Sequence, residues 1–524
     1  LKLYRSRLIA PVIMIVLVAA AGARSFVAGQ QKAESFAITP DMRAALDHIS
    51  AASLRGHLSF IASDLLEGRN TPSRGLDLAA EYIAAHFRRA GLEPVGDDGY
   101  FQTSSWMIAE RGMEDFEMRF QSGTEAVNVR AGQVSLSLEG GINLAQSRVI
   151  KVGYKDAAAL TQAEVEGKVV LTEIPDYRRE ERSRWPEMFR AQNEFLSRMS
   201  SLKAALVISV DRANKNGSGA GAGRFVNPEN RQPQRPASMP LITVHDPRIV
   251  ELYDAAKPGA VASTLTLRVS APVEKSVKLR NVIGLLRGSD ESLKDTYVLI
   301  TAHYDHVGVK ATGEGDRIFN GANDNASGTV TVIELAAALS RLKQRPRRSI
   351  VFMTFFGEEK GLLGSRHYGR HPVFPIEKTV AHVNLEQVGR TDSSEGPQVS
   401  NASLTGFDYS DIGLTFKAAG DLLGVNVYKH ERNSDAFFSR SDNQALADQG
   451  VPAHTLGVAF LYPDYHGLGD HWDKIDYANM EKINRLVAVG LLMIANDPQE
   501  PRWNEANPKA AKYVKAWKDR RNLQ

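Results

Sequence analysis

The chain reads as an α/β protein: a mixed sheet flanked by helices, with a smaller α/β domain inserted. Three observations predict this. Tyr297–Ala302 (YVLITA) and Ile350–Phe356 (IVFMTFF) are β-branched, apolar runs of strand length with no polar alternation, the pattern of buried strands. Between them Val332, Leu335, Ala336, Leu339 and Leu342 follow helical spacing, with Pro346 beyond, so Asp324-Asn325 is expected to open a helix. The texture of the chain changes near Gly140 and reverts near Ser276.

The N-terminus has the form of an export leader. Lys2, Arg5 and Arg7 precede the apolar run Leu8–Ala21, and Ala21-Gly22-Ala23 offers a small-residue cleavage site. The run is short for a membrane span, so association with a membrane is expected only if this segment stays uncleaved. Residues 1–23 are thus read as a signal peptide and 24–41 as a flexible lead-in. From Met42 to Leu92 apolar residues recur at helical spacing. Asp77–Gly91 is the clearest stretch: an acidic start, basic residues in the last turn and a glycine stop. Glu67-Gly68-Arg69 falls in a loop between two such helices, and residues 100–136 alternate more like strands.

In the insert, placed at 140–272, Lys168–Ile174, Ala204–Val210 and Pro240–Val244 are short strands. Asn214–Gly223 reads as a mobile loop, and Tyr177–Arg198 as a solvated helix. Apart from His245 the insert lacks histidine, so it is expected to pack independently at the rim of the site and to supply no metal ligand. Residues 42–139 and 273–500 form the main domain, in which Thr379–Leu385 is a third core strand ending in Glu386. Residues 501–524 are a basic tail, helical and solvated from Lys509.

With 524 residues the chain can bury more than one core. It contains no cysteine, which excludes disulfides, thiolate zinc sites and a cysteine nucleophile. Any metal must be held by histidine and carboxylates. Removing residues 1–23 takes three of the 64 basic residues and none of the 61 acidic ones, so the remaining charges balance and nothing points to nucleic acid. No G-x-S-x-G elbow of a serine hydrolase occurs.

Taken singly, the polar residues near these strands are ordinary. Their order is not. His303, Asp305, Asp324, Glu358, Glu359, Glu386 and His466 all follow or interrupt buried-type elements. Such a set suits two adjacent divalent ions bridged by a carboxylate, with one of the paired glutamates left free to carry a proton. Neighbouring side chains at a strand end point different ways, so Glu358 and Glu359 can divide those tasks. Asp305, two residues after His303, is placed to orient the imidazole.

HYDHVG, GANDNASG, FFGEEKGLLGS, VNLEQVG and DYHGLGDHWDKID, in this order, resemble the motifs of the zinc-dependent exopeptidases of the bacterial leucyl aminopeptidase type, whose relatives include glutamate carboxypeptidase and glutaminyl cyclase. The resemblance covers most of residues 42–495. It implies a two-zinc exopeptidase fold with an inserted protease-associated domain, acting on peptides; with the export leader, the expected place is the periplasm or outside the cell. It implies one zinc ion on His303, Asp324 and Glu386 and another on Asp324, Glu359 and His466. Asp324 bridges them and Glu358 is the general base.

The chain departs from the family pattern in two places. Glu386 stands where Asp is usual, and Asn443 where His is frequent, which bears on the substrate pocket. His471 is a further, second-choice ligand. An aminopeptidase is the leading expectation. A carboxypeptidase would need a cation for the substrate carboxylate, for which Arg390, Arg432 and Arg440 are candidates. A one-zinc glutaminyl cyclase and a non-catalytic, receptor-like binding protein are the remaining alternatives.

Overall fold

The computed structural model describes residues 36–175, 185–212, 224–226, 239–310 and 314–522. The leader, most of the lead-in, the run Asn214–Gly223 and the first residues of Tyr177–Arg198 lie outside them; Trp185–Ser201 is helical. Among the described residues no helix is long and apolar enough to cross a membrane. Helix Pro40–Leu46 begins inside the expected lead-in, with the Thr39 side chain accepting from the Met42 N–H.

The described residues form two compact units, one of those up to Ser104 together with those from Leu279 onward, the other of those between Ser105 and Lys278. In the first, helix α1 (Ala51–Ile61) is capped by Ser50 and helix α2 (Arg74–Ala90) by Ser73, whose side chains accept N–H groups of the first turn. Gly91 ends α2 at φ 73°, a left-handed conformation that glycine adopts without a Cβ clash. Leu76, Ala80, Ile83 and Phe87 make its buried stripe.

The sheet of this unit contains β1 (Val273–Leu286, in this unit from Leu279), β2 (Tyr297–His303), β3 (Ser349–Phe355), β4 (Thr379–Glu386), β5 (Asn401–Leu404), β6 (Asn426–Tyr428) and β7 (Ala453–Gly457). Their order across the sheet is β6-β5-β7-β4-β2-β3-β1. The central strands β3, β2, β4 and β7 run parallel. β1 is antiparallel to β3, and β5 to β7. Every residue of β2, β3 and β4 is buried, which is why these strands read as apolar runs. Register brings His303 level with Phe355, and Glu386 level with Gly457, so the chain leaves these strands on one edge.

Helix α3 (Ser327–Leu339) starts later than expected. Asp324 and Asn325 lie before it, in a π-type turn with non-helical backbone (Asp324 φ −109°, ψ 96°), joined by a cis peptide bond. The helix is buried on nearly every side, Thr329, Thr331 and Glu334 included. At the C-terminus, Ala511–Asn522 is helical but not wholly solvated. Tyr513 and Val514 are buried, and the Tyr513 ring stacks on Trp503 at 5.1 Å. The apolar face of this basic helix is too short to show in its composition.

The second unit has its own eight-stranded sheet. Val169–Thr172, Leu206–Val210 and Leu241–Val244 are its parallel centre, close to the expected strands. Its boundary differs from the expected 140. Glu117–Ser122 pairs with Gly259–Val269, and Val134–Ser137 with Leu241–Val244, so strands ahead of residue 140 belong to this sheet, and the unit runs from Ser105. Val149, Leu171, Ile208, Ile242 and Leu265 fill it.

Candidate metal centre

The carboxyl ends of β2, β3 and β4 bring buried histidine and carboxylate groups together with the turn before α3. His303 ends β2. Its Nε2 lies 3.3 Å from Asp324 Oδ1 and 3.4 Å from Glu386 Oε2. His466 Nε2 lies 3.0 Å from Asp324 Oδ2 and 3.2 Å from Glu359 Oε1. Asp324 therefore turns one oxygen to each histidine. Two groups fall within metal-binding distance: His303, Asp324 and Glu386; and His306, Asp324, Glu359 and His466.

These residues fit a pair of divalent cations. Nε2 of His303 and Nε2 of His466 each face two carboxylate oxygens, and a single N–H cannot serve both well. His303 Nδ1 lies 3.1 Å from the Asp305 carbonyl oxygen. Donation there leaves Nε2 as the bare nitrogen a metal takes. Burial alone would lower the His466 pKa, but Asp324 and Glu359 outweigh it and push it up to about 10. The carboxylates thus hold a positive charge at this point, as a proton or as a metal ion. The donor set, imidazole and carboxylate without sulfur, suits zinc.

Of the residues expected from the sequence, His303, Asp324, Glu359, Glu386 and His466 converge. Asp305 has a different emphasis. Its carboxylate is 3.5 Å from His303 Nδ1, farther than its own carbonyl. Instead it accepts the Glu358 backbone N–H at 3.0 Å and the Thr71 hydroxyl at 3.1 Å. The Glu358 carboxylate takes no part in the ion pairs joining the histidines to Asp324, Glu359 and Glu386. Burial pushes its pKa well up, and Glu386, Asp442 and Glu359 reinforce the shift while His303 opposes it.

His471 joins neither group; it lies 3.6 Å from Asp316. The Asn443 side chain is bonded at both ends inside the fold, to the Phe438 carbonyl and the Thr455 hydroxyl. Arg390 is paired with both Asp392 and Asp464, and Arg432 with Glu395. Arg440 has no carboxylate partner among the described residues and lies over the Phe437 ring.

Several site residues escaped sequence reasoning. His306 Nδ1 is 2.9 Å from Glu359 Oε1, and its Nε2 is buried without a partner among the described residues. Its signal was its place in HYDH, three residues after His303. Asp442 is fully buried; burial pushes its carboxyl up to about 7, with His303 opposing and Glu386 and Asp305 adding to the rise. Ser441 donates to Glu386 at 2.5 Å. Asp470 accepts the backbone N–H groups of Asn323 and Asp324 and the Tyr462 hydroxyl.

Arg69 is wholly buried. Its guanidinium donates to the carbonyls of Tyr304, Ile61, Asn320 and Gly321. It thereby ties the loop after His303 to the turn before Asp324. Arg69→Met is expected to strand these acceptors and to cost roughly 3–5 kcal/mol, the scale of removing one partner from a buried charged network. Urea unfolding of the chelator-treated protein reads this directly; a loss under about 1 kcal/mol would mean that water takes over the carbonyls.

Residues 281–490 match the model for Peptidase family M28. Over 243 residues the chain is 34% identical to the "Probable zinc metalloprotease" of Pyrenophora teres f. teres, covering 43% of this chain and 50% of that protein. It is 26% identical over 244 residues to Aminopeptidase YwaD of Bacillus subtilis, covering 44% of this chain and 48% of that one. The chain spans about half the length of these curated relatives. Among solved structures, the aminopeptidase from Aneurinibacillus sp. strain AM-1 superposes with a TM-score of 0.56 at 17% identity, over 88% of this chain and 97% of that one. The fold is therefore that of these aminopeptidases.

Proposed function

With a Peptidase family M28 region at residues 281–490, we propose that this chain is an exported two-zinc exopeptidase that removes N-terminal residues from peptides. The observation that carries the reading is Asp324, which sets one oxygen against His303 and the other against His466. In this reading His303, Asp324 and Glu386 hold one ion, and Asp324, Glu359 and His466 the other. His306 fixes the Glu359 carboxylate. Zinc, when bound, supplies a Lewis acid for the scissile carbonyl and makes a water easier to deprotonate.

The chain's own groups do the rest. Glu358, held by Asp305 through its backbone N–H, takes the proton of the attacking water and delivers it to the leaving amine. The peptide C–N bond breaks as the new C–O bond forms, and no redox partner is needed. The carbonyl of Asp305 keeps the His303 ring in its metal-binding tautomer.

The test is a panel of aminoacyl dipeptides, each with and without a blocked terminus, assayed with zinc present. Hydrolysis that demands a free amine supports the aminopeptidase. Hydrolysis that demands a free carboxylate selects a carboxypeptidase, the second reading, favoured by Arg440, which has no carboxylate partner among the described residues.

Residues 105–278 are proposed to be a protease-associated domain that supplies no metal ligand; both ligand groups fall in the other unit. Replacing them with a short linker is expected to leave two ions bound. Loss of one ion from a truncated protein that still folds would refute this.

A further inference from the structure

A polar cavity of about 310 Å³ lies among α1, α2 and the C-terminal half of α3. That volume is within the range of small-molecule sites. It is separate from the metal centre: Glu334, on its wall, is two turns along α3 from Ser327, roughly 10 Å of helix.

Its chemistry is asymmetric. On the inner side is Glu334, buried, accepting the Ser53 hydroxyl at 2.7 Å. His57 Nε2 is 3.7 Å from the same carboxylate oxygen, while the Tyr82 hydroxyl holds its Nδ1 at 2.9 Å. Burial, aided by His86 and Arg89, lowers the His57 pKa to about 4, so this ring brings no charge to offset Glu334 at neutral pH. The Ser340 hydroxyl is buried with no partner among the described residues. The opposite character lies at the outer side. Arg89 and Arg341 line the cavity, are exposed, and have no carboxylate partner among the described residues.

We propose that this cavity binds a free α-amino acid, with its ammonium group against Glu334 and its carboxylate against Arg89 and Arg341. A buried carboxylate without a compensating cation calls for an ammonium group, and two unpaired guanidinium groups call for a carboxylate. The hydroxyl of Ser340 and the rings of His57 and His86 offer the remaining hydrogen bonds. The proposal goes beyond the peptidase reading and does not rest on it.

Calorimetric titration of the full, zinc-loaded chain with L-leucine tests it. Binding is expected, and it should weaken at least about tenfold in Glu334→Gln and in the pair Arg89→Met/Arg341→Met, a change of about 1.4 kcal/mol. Isoamylamine and 4-methylpentanoate, each carrying one of the two charges, should bind more weakly than L-leucine. Glu334→Gln keeps an acceptor for Ser53; if it does not fold, the arginine pair, on the surface, carries the test. L-leucine binding that is unchanged in the variants belongs to the metal centre and overturns the proposal. So does the absence of heat at millimolar ligand.

Discussion

Glu358→Gln is expected to leave two zinc ions bound per chain and to lower kcat by about 10²–10⁴, the range for loss of a general base. That is roughly 3–5 kcal/mol of barrier, at 1.36 kcal/mol per tenfold. The amide keeps the size of the carboxylate but cannot accept the water's proton. The loss should fall on kcat with KM little changed, because the groups that dock the substrate remain. Glu359→Gln is chemically the same change one residue along, yet its expected result is different. The Glu359 carboxylate lies against His306 and His466, and burial, which alone would raise its pKa, is overcome by those contacts, which hold it at about 2. A neutral amide there weakens the hold on one ion. Metal content and kcat measured on both variants decide the matter. If Glu358→Gln loses an ion while Glu359→Gln keeps both, the two roles are reversed. If neither slows turnover tenfold, the mechanism fails.

The second large effect concerns Asp324. Asp324→Ala removes the one side chain common to both ligand groups, so both ions are expected to be lost together and activity with them. Glu386→Ala, which touches one group, should release one ion first. Chelation should abolish activity in the unaltered protein, and zinc should restore it. Acid should act in the same direction as chelation. His466 binds a proton readily because Asp324 and Glu359 raise its affinity for one, so protons compete with zinc and loading falls as the pH is lowered. Metal analysis of active protein with a single ion per chain would contradict the bridged centre and bring the cyclase back.

The parts of this fold legible in the sequence were those with a one-dimensional signature. A parallel strand buried on both faces is a continuous apolar run, so β2, β3 and β4 showed directly. The residue at which such a run meets charge is the strand's carboxyl end, and that exposed His303, Glu358, Glu359 and Glu386 as candidates. The parts that did not show depend on distant pairing. Arg69 sits in what reads as an ordinary loop, and its partners Tyr304, Asn320 and Gly321 are far along the chain. Asp470 looks like one more acid in a charged loop until the turn at Asn323 is set against it. The non-helical backbone at Asp324 was hidden because an acidic residue ahead of an apolar helical pattern is the normal helix start. The boundary at Ser105 was missed because antiparallel strands alternate alike in either unit, and only their partners tell them apart.

Asp470 has a practical consequence for anyone wishing to redesign this molecule. It stands four residues from His466 and accepts the backbone N–H groups of both Asn323 and Asp324. Two segments far apart in the chain are thereby clasped into one part. A loop transplanted from a relative between Tyr462 and Asp476 would import a new histidine and, with it, a new setting for Asp324. Variation of the final loop is therefore never local. Grafts that carry the Tyr462–Asp470 clasp intact should keep the centre, and those that trim it should shift both halves at once.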